Sequence, residues 1–208
     1  MPDAPPTPTV APREANAAAL RAGGHAAARA LPLDLGGGLR VRRFVPEDAP
    51  ALFARIDADR AHLGRWLEWV ETTRTPADTA AFLRDADARF EAAGALDVGL
   101  EQGGALVGVV GTSALHPDTR TLEVGYWLAS HVTGRGIVTR ALRALEPLWF
   151  DVVGLARLEI HAHPDNAPSR AVAERAGYRL VGVREAPDAP FDPVVYVRTA
   201  PAAEEAHP

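Results

Sequence analysis

The passage from Leu122 to Thr139 constrains this chain more than any other segment. Leu122 to Leu128 form an apolar strand carrying one acid, Glu123; the chain turns at Ser130-His131, and Gly134-Arg135-Gly136 then opens a helix with apolar Ile137, Ala141, Leu142 and Leu145. The first four N–H groups of a helix lack internal partners, and glycine lets them approach an anion without an intervening Cβ. Gly134 to Val138 therefore offer a row of donors to a phosphate, although Gly-x-Gly by itself also marks ordinary turns.

A chain of 208 residues, 47% hydrophobic and 24% charged, suffices for one packed core. Its net charge of −5 argues against generic binding to nucleic acid or to an anionic membrane surface, and no apolar run approaches a membrane span. With no cysteine there is neither a disulfide framework nor a thiolate metal site. The composition predicts a soluble, cytoplasmic protein.

Proline-rich residues 1–12 cannot bury enough apolar surface to order themselves, and the alanine-rich stretch 13–30 is interrupted by Gly23-Gly24. Residues 1–30 are accordingly expected to be a disordered tail, the folded domain to run over 31–200, and 201–208 to fray. Within the domain the patterning predicts a first strand from Leu39 and a helix over 49–58. A helical piece then carries His62, Leu63, Trp66, Leu67 and Trp69, with these aromatics as packing or as substrate contacts. Another helix covers 76–93, entered at Thr75-Pro76 and ended by Gly94.

A β-hairpin over 96–100 and 106–115 leads to the central strand 122–128, and the helix from 137 to 150 should kink at Pro147. Arg157 to His163 alternates as a half-buried strand, with His161 and His163 together on its solvated face. A helix from Pro168 to Gly177 and strands over 178–184 and 192–198 complete the pattern. The sum is a mixed sheet flanked by helices, an α/β (α+β) domain.

Three ordered motifs, Glu123-Val-Gly-Tyr126-Trp-Leu128, Gly134-Arg-Gly136-Ile137 and Asn166-Ala-Pro-Ser169 through Gly177-Tyr178, resemble the GNAT superfamily of acyl-coenzyme A N-acyltransferases. The similarity extends over roughly residues 36–200 and is greatest to the RimJ/RimL-like branch of ribosomal-protein N-terminal acetyltransferases. It implies a twisted mixed sheet splayed at an acyl-CoA cleft, with acetyl-CoA as co-substrate, no metal, and an amine acceptor such as a protein N-terminus. Relatives often form a homodimer. Carried over by position, the backbone from Gly134 through Arg135, Gly136, Ile137, Val138 and Thr139 holds the pyrophosphate. Tyr126 and Leu128 bond the thioester carbonyl and pantetheine amides, and Asn166 and Ser169 face the pantetheine.

The chain departs from the superfamily at Thr133, where Gln or Arg is usual, and at Val138, where Gly or Ala is usual. Ala173 occupies the place of a general-acid tyrosine found in other branches.

Attack on a thioester needs a neutral amine. A chain-terminal amine has a pKa of about 7.7–8.0 against about 10.4 for lysine, so the α-amine is the easier acceptor. Glu123, an acid within an apolar strand, is the candidate proton acceptor through a bound water, or else a glutamate paired with an arginine. Ser169, at a helix start, is a candidate donor to the departing thiolate or merely a cap. Arg135 either meets a phosphate or lies exposed. His161 and His163 have no third ligand nearby in sequence that would complete a metal site. Rival readings are a succinyl-CoA or small-amine transferase and a non-catalytic CoA sensor. A nucleotide module is disfavoured because no P-loop lysine follows Gly136.

Overall fold

The computed structural model describes residues 13–187 and 191–201. Helix α1 (Arg13–Ala28) precedes strands β1 (Leu33–Asp34) and β2 (Leu39–Arg43). Helices α2 (Ala49–Asp57), α3 (Arg60–Leu63), α4 (Trp69–Thr72) and α5 (Pro76–Ala93) follow. Strands β3 (Val98–Gln102), β4 (Ala105–His116) and β5 (Thr121–Leu128) then lead into α6 (Ile137–Pro147). The last elements are β6 (Arg157–Ala162), α7 (Ala167–Ala176), β7 (Arg179–Val183) and β8 (Val194–Thr199).

Among the described residues the strands form one eight-stranded sheet in the order β1-β2-β3-β4-β5-β6-β8-β7. Neighbours are antiparallel except β5 and β6, which run parallel and pair only from Thr121↔Arg157 to Glu123↔Glu159. Both strands continue beyond that point without pairing, so the sheet opens into a V at Val124.

Local chemistry fixes the helix ends around this opening. In α5, Asp78 Oδ2 accepts the Thr75 N–H at 2.8 Å, Pro76 sits where no N–H is needed, and Gly94 ends the helix at φ 72°. The α6 helix packs Ile137, Val138, Ala141, Leu142 and Leu145 into the main core with Val110, Val124 and Leu158, while α2 and α5 cover a smaller cluster around Leu52, Leu83 and Val109. The proline at 147 does not break the backbone. Helix α6 passes directly into a π turn over Leu148–Val152, and a wider turn tolerates the lost donor.

The expected tail over 1–30 is corrected for its described part. Residues 13–28 are helical and lie against α5 and the π turn, with Leu20 and Ala27 2% and 1% exposed. The Gly23-Gly24 pair, read from sequence as an interruption, is what permits the contact. A Cβ on Gly23 would lie 2.6 Å from Val153 Cα, and one on Gly24 would collide with the Gly94 backbone. Small residues here replace large apolar ones as the docking device. Residues 1–12 and 202–208 lie outside the described residues.

Arg42 ties β2 to the helical layer. Its guanidinium donates to both Asp48 oxygens at 2.7 and 2.8 Å and to Glu101 at 2.8 Å, and Asp48 also accepts the Val45 N–H at 2.8 Å. Burial pushes the Asp48 carboxyl up, but these bonds outweigh it and hold it below its ordinary 3.8. Asp48→Asn is expected to lower the unfolding free energy by about 2 kcal/mol at neutral pH in urea titrations, as loss of a hydrogen bond to a charged partner does. A depressed carboxylate stabilises the fold above its unfolded pKa and loses that contribution as pH falls through the folded value. The gap between wild type and variant should therefore close below about pH 4.

Candidate active site

Opening the sheet leaves main-chain groups of β5 without a strand partner. Ala129 donates its N–H to Val107 O at 2.8 Å, and Trp127 O lies against Gly108, so the odd-numbered residues here face β4. By alternation Tyr126 and Leu128 turn their N–H and C=O groups into the V. Beside them lies a cavity of about 430 Å³ whose walls include Trp66, Leu128, Gly134, Val138, Asn166 and Ser169. The sequence-predicted site residues Gly136, Ile137 and Thr139 also border it, as does Tyr126.

The glycine turn closes one end. Gly134 and Gly136 have φ of 74° and 71°, in the left-handed region that a side chain disfavours, and a Cβ at either would meet open space. The first α6 amides, from Ile137 to Thr139, therefore point toward the cavity from a helix whose first carbonyl bond is Arg140 N–H to Gly136 O. Thr139 borders the same wall, and its Oγ1 is buried without a hydrogen-bond partner among the described residues. Val138 is 5% exposed and sends its side chain into the core, so its bulk does not obstruct the turn. Thr133 uses its hydroxyl locally, donating to Ser130 O at 2.8 Å. Arg135 is exposed and donates to His131 O at 3.0 Å.

Asp59, which no sequence signal marks, anchors this turn from 71 residues away. Its carboxylate accepts the Ser130 N–H at 2.5 Å and the Ser130 hydroxyl at 2.7 Å.

On the far wall, α7 begins at Asn166, whose Oδ1 accepts the Ser169 N–H at 3.2 Å. That oxygen is committed to the cap, leaving the Asn166 amide N–H₂ for the cavity. Ser169 Oγ donates to the Tyr126 hydroxyl at 3.2 Å, and Tyr126 in turn donates to Ser169 O at 2.9 Å. Burial pushes the Tyr126 phenol up to about 12, so it stays protonated through the physiological range and acts as a hydrogen-bond donor. Ala173 is wholly buried one turn further along α7.

A second cavity of about 470 Å³ lies across β5, walled by Leu52, Trp69, Phe82, Asp97, Gly125 and Trp127. Asp97 accepts the Thr112 N–H at 2.7 Å and bonds Arg89 at 2.7 Å; burial nonetheless pushes its carboxyl up. The two cavities share Leu67, Tyr126 and Trp127 in their walls.

Glu123 lies on the β5 face that also carries Gly125 and Trp127, but it borders neither cavity directly. Its Oε2 is 3.2 Å from His161 Nδ1. The expected solvated face for His161 is thus corrected. Parallel pairing sets Glu123 beside Glu159, and the imidazole fills the gap between them with its side chain 13% exposed. His163 lies nearer the cavity mouth, between the rings of Trp66 and Phe191 at centroid distances of 5.3 and 4.5 Å.

The family model described as an acetyltransferase (GNAT) domain matches residues 38–179. YdaF of Bacillus subtilis (strain 168), named as a candidate ribosomal N-acetyltransferase, is 33% identical over 142 residues, 67% of this chain and 77% of that one. The solved RimJ of Mycobacterium smegmatis, in complex with a CoA-disulfide, is 30% identical with a TM-score of 0.66, covering 78% of this chain and 82% of its own. RimL, the ribosomal L7/L12 alpha-N-protein acetyltransferase in complex with coenzyme A, shares the fold at 23% identity and a TM-score of 0.75, covering 81% and 98%.

Proposed function

We propose that this chain, which belongs to the GNAT acetyltransferase family, moves acetyl from acetyl-CoA to the α-amine of a protein N-terminus. The observation that carries the reading is a pair of cavities walled in common by Tyr126 and Trp127. One is lined by backbone donors suited to a thioester donor, and the other, walled by Leu52, Trp69 and Phe82 with Asp97 among them, is suited to a short chain end that carries an amine. The names of the relatives support a ribosomal protein as the acceptor class. No helix among the described residues is long and apolar enough to cross a membrane.

In this reading the pyrophosphate is held by the amides from Gly134 to Thr139, with the orphan Thr139 hydroxyl as one further donor. The pantetheine amides pair with Tyr126 and Leu128 as an added strand would, and Asn166 contributes its amide N–H₂. The acyl carbonyl is polarised by a β5 N–H at the opening. The neutral amine attacks the carbonyl carbon, a C–N bond forms, the C–S bond breaks, and the thiolate leaves. The proton lost by nitrogen passes through water to Glu123.

A leaving thiol of pKa about 8.5 needs little assistance. Ser169 is accordingly a contact rather than an acid, its hydroxyl already directed to Tyr126. Ser169→Ala is expected to reduce kcat about threefold, the size of one neutral hydrogen bond. A loss well beyond tenfold would place it in the chemistry.

The test is calorimetric titration with acetyl-CoA, succinyl-CoA and free CoA, followed by thiol release on adding N-terminal peptides or free lysine. Tight acetyl-CoA binding with peptide-dependent release supports the proposal. Binding with no release for any acceptor would leave a CoA sensor instead, and preference for succinyl-CoA or free lysine would replace the donor or acceptor named here.

A further inference from the structure

Parallel strands that separate after one short run of pairing place their last paired side chains next to each other, here Glu123 and Glu159. Two carboxylates side by side repel, and the structure answers with His161 between them. Nδ1 is 3.2 Å from Glu123 Oε2 and Nε2 is 2.8 Å from Glu159 Oε2. The ring is anchored at one end by its hydrogen bond with Glu159 and meets the Glu123 carboxylate at the other.

Glu159 is in turn fixed by Arg157 at 2.7 Å and Arg184 at 2.8 Å and is 6% exposed. Burial pushes the Glu159 carboxyl up, but the bonds from His161 and Arg157 and the charge of Arg184 outweigh it and hold it below the ordinary range. The Glu159 end of the array is therefore rigid and anionic, while the Glu123 end is the more open, its side chain 23% exposed.

We infer that His161 is a positioning residue for acetyl transfer: clamped by Glu159, its ring fixes the Glu123 carboxylate in place on β5. The inference rests on Glu123 as the proton acceptor. The groups that bear on the ring's charge are Glu123 from β5, Glu159 and Arg157 from β6, and Arg184 beyond β7. When the water-borne proton from the amine arrives at Glu123, the contact of Nδ1 with Oε2 keeps one oxygen covered. The other is free to receive it.

The test is His161→Phe and His161→Gln, with kcat and KM followed by thiol release across about pH 6 to 9. Imidazole ¹⁵N NMR of the wild-type protein and of Glu159→Gln accompanies it. Expected are a roughly tenfold loss of kcat in His161→Phe with KM for acetyl-CoA within twofold of wild type, partial recovery in His161→Gln, and a displaced acidic limb of the kcat profile in both. The NMR should show a change in the His161 ring signals between the wild type and Glu159→Gln, as release of the clamp requires.

His161 ring signals that are the same in the wild type and in Glu159→Gln overturn the inference whether or not the His161 variants fold. So does an unchanged pH profile with full kcat. If Glu123→Gln leaves turnover intact, the underlying assignment has failed; if Glu123→Gln is impaired but His161→Phe is not, only the inference about His161 has.

Discussion

Glu123→Gln is expected to lower kcat by about 100-fold while leaving the KM for acetyl-CoA nearly unchanged, the range in which removal of a general base falls. The substitution is isosteric and keeps the contact with His161, whose Nδ1 is 3.2 Å from the present carboxylate, so the junction of β5 and β6 should keep its form. What is lost is a site that takes up the proton released when the amine becomes an amide. An α-amine is partly neutral at physiological pH, whereas a lysine amine, about 2.5 pKa units higher, is almost wholly charged. The defect should therefore shrink as pH rises through the acceptor's own range. Equal turnover for wild type and variant across about pH 6 to 9, measured by thiol release with an N-terminal peptide, would remove Glu123 from the mechanism.

Gly136→Val is expected to weaken acetyl-CoA binding by about 100-fold, with calorimetry as the measurement. Gly136 sits at φ 71° as the residue before the first turn of α6, and a β-branched side chain resists that conformation strongly. Relaxation of the turn would tilt the amides of Ile137, Val138 and Thr139 away from a common focus, and anion binding at a helix start depends on that focus. Because a Cβ at 136 would contact nothing within 4 Å in the folded protein, the core is spared and thermal stability should fall far less than affinity. An affinity within threefold of wild type would mean that the pyrophosphate lies elsewhere.

Much of this architecture was legible because the residues that build it are neighbours in the chain. The capping sequence Thr75-Pro76-x-Asp78 announces α5, the glycines announce the turn before α6, and Asn166-x-x-Ser169 announces the start of α7. Three features were hidden for the same reason in reverse. Asp59 reaches Ser130, α1 lies across Gly94, and His161 joins Glu123 to Glu159, each through contacts that periodicity does not encode. The histidine was misread because alternation assigns a side chain to a face of a strand but does not say whether a neighbour shares that face. The Gly23-Gly24 pair was misread because glycine weakens a helix in isolation and admits a close crossing once another backbone arrives.

In the proposed reading, the V between β5 and β6 divides recognition into two kinds of code. On one side the wall is written largely in main-chain groups: the N–H and C=O of Tyr126 and Leu128 and the first amides of α6. Those groups are the same whatever side chains stand there, so Thr133 and Val138 can differ from the usual residues without altering what is offered to a ligand. Across β5 the wall is written in side chains, including Leu52, Trp69, Phe82 and Asp97, and every substitution there changes its shape or charge. A lineage built on this frame can retune what it accepts, residue by residue, while its donor chemistry stays constant.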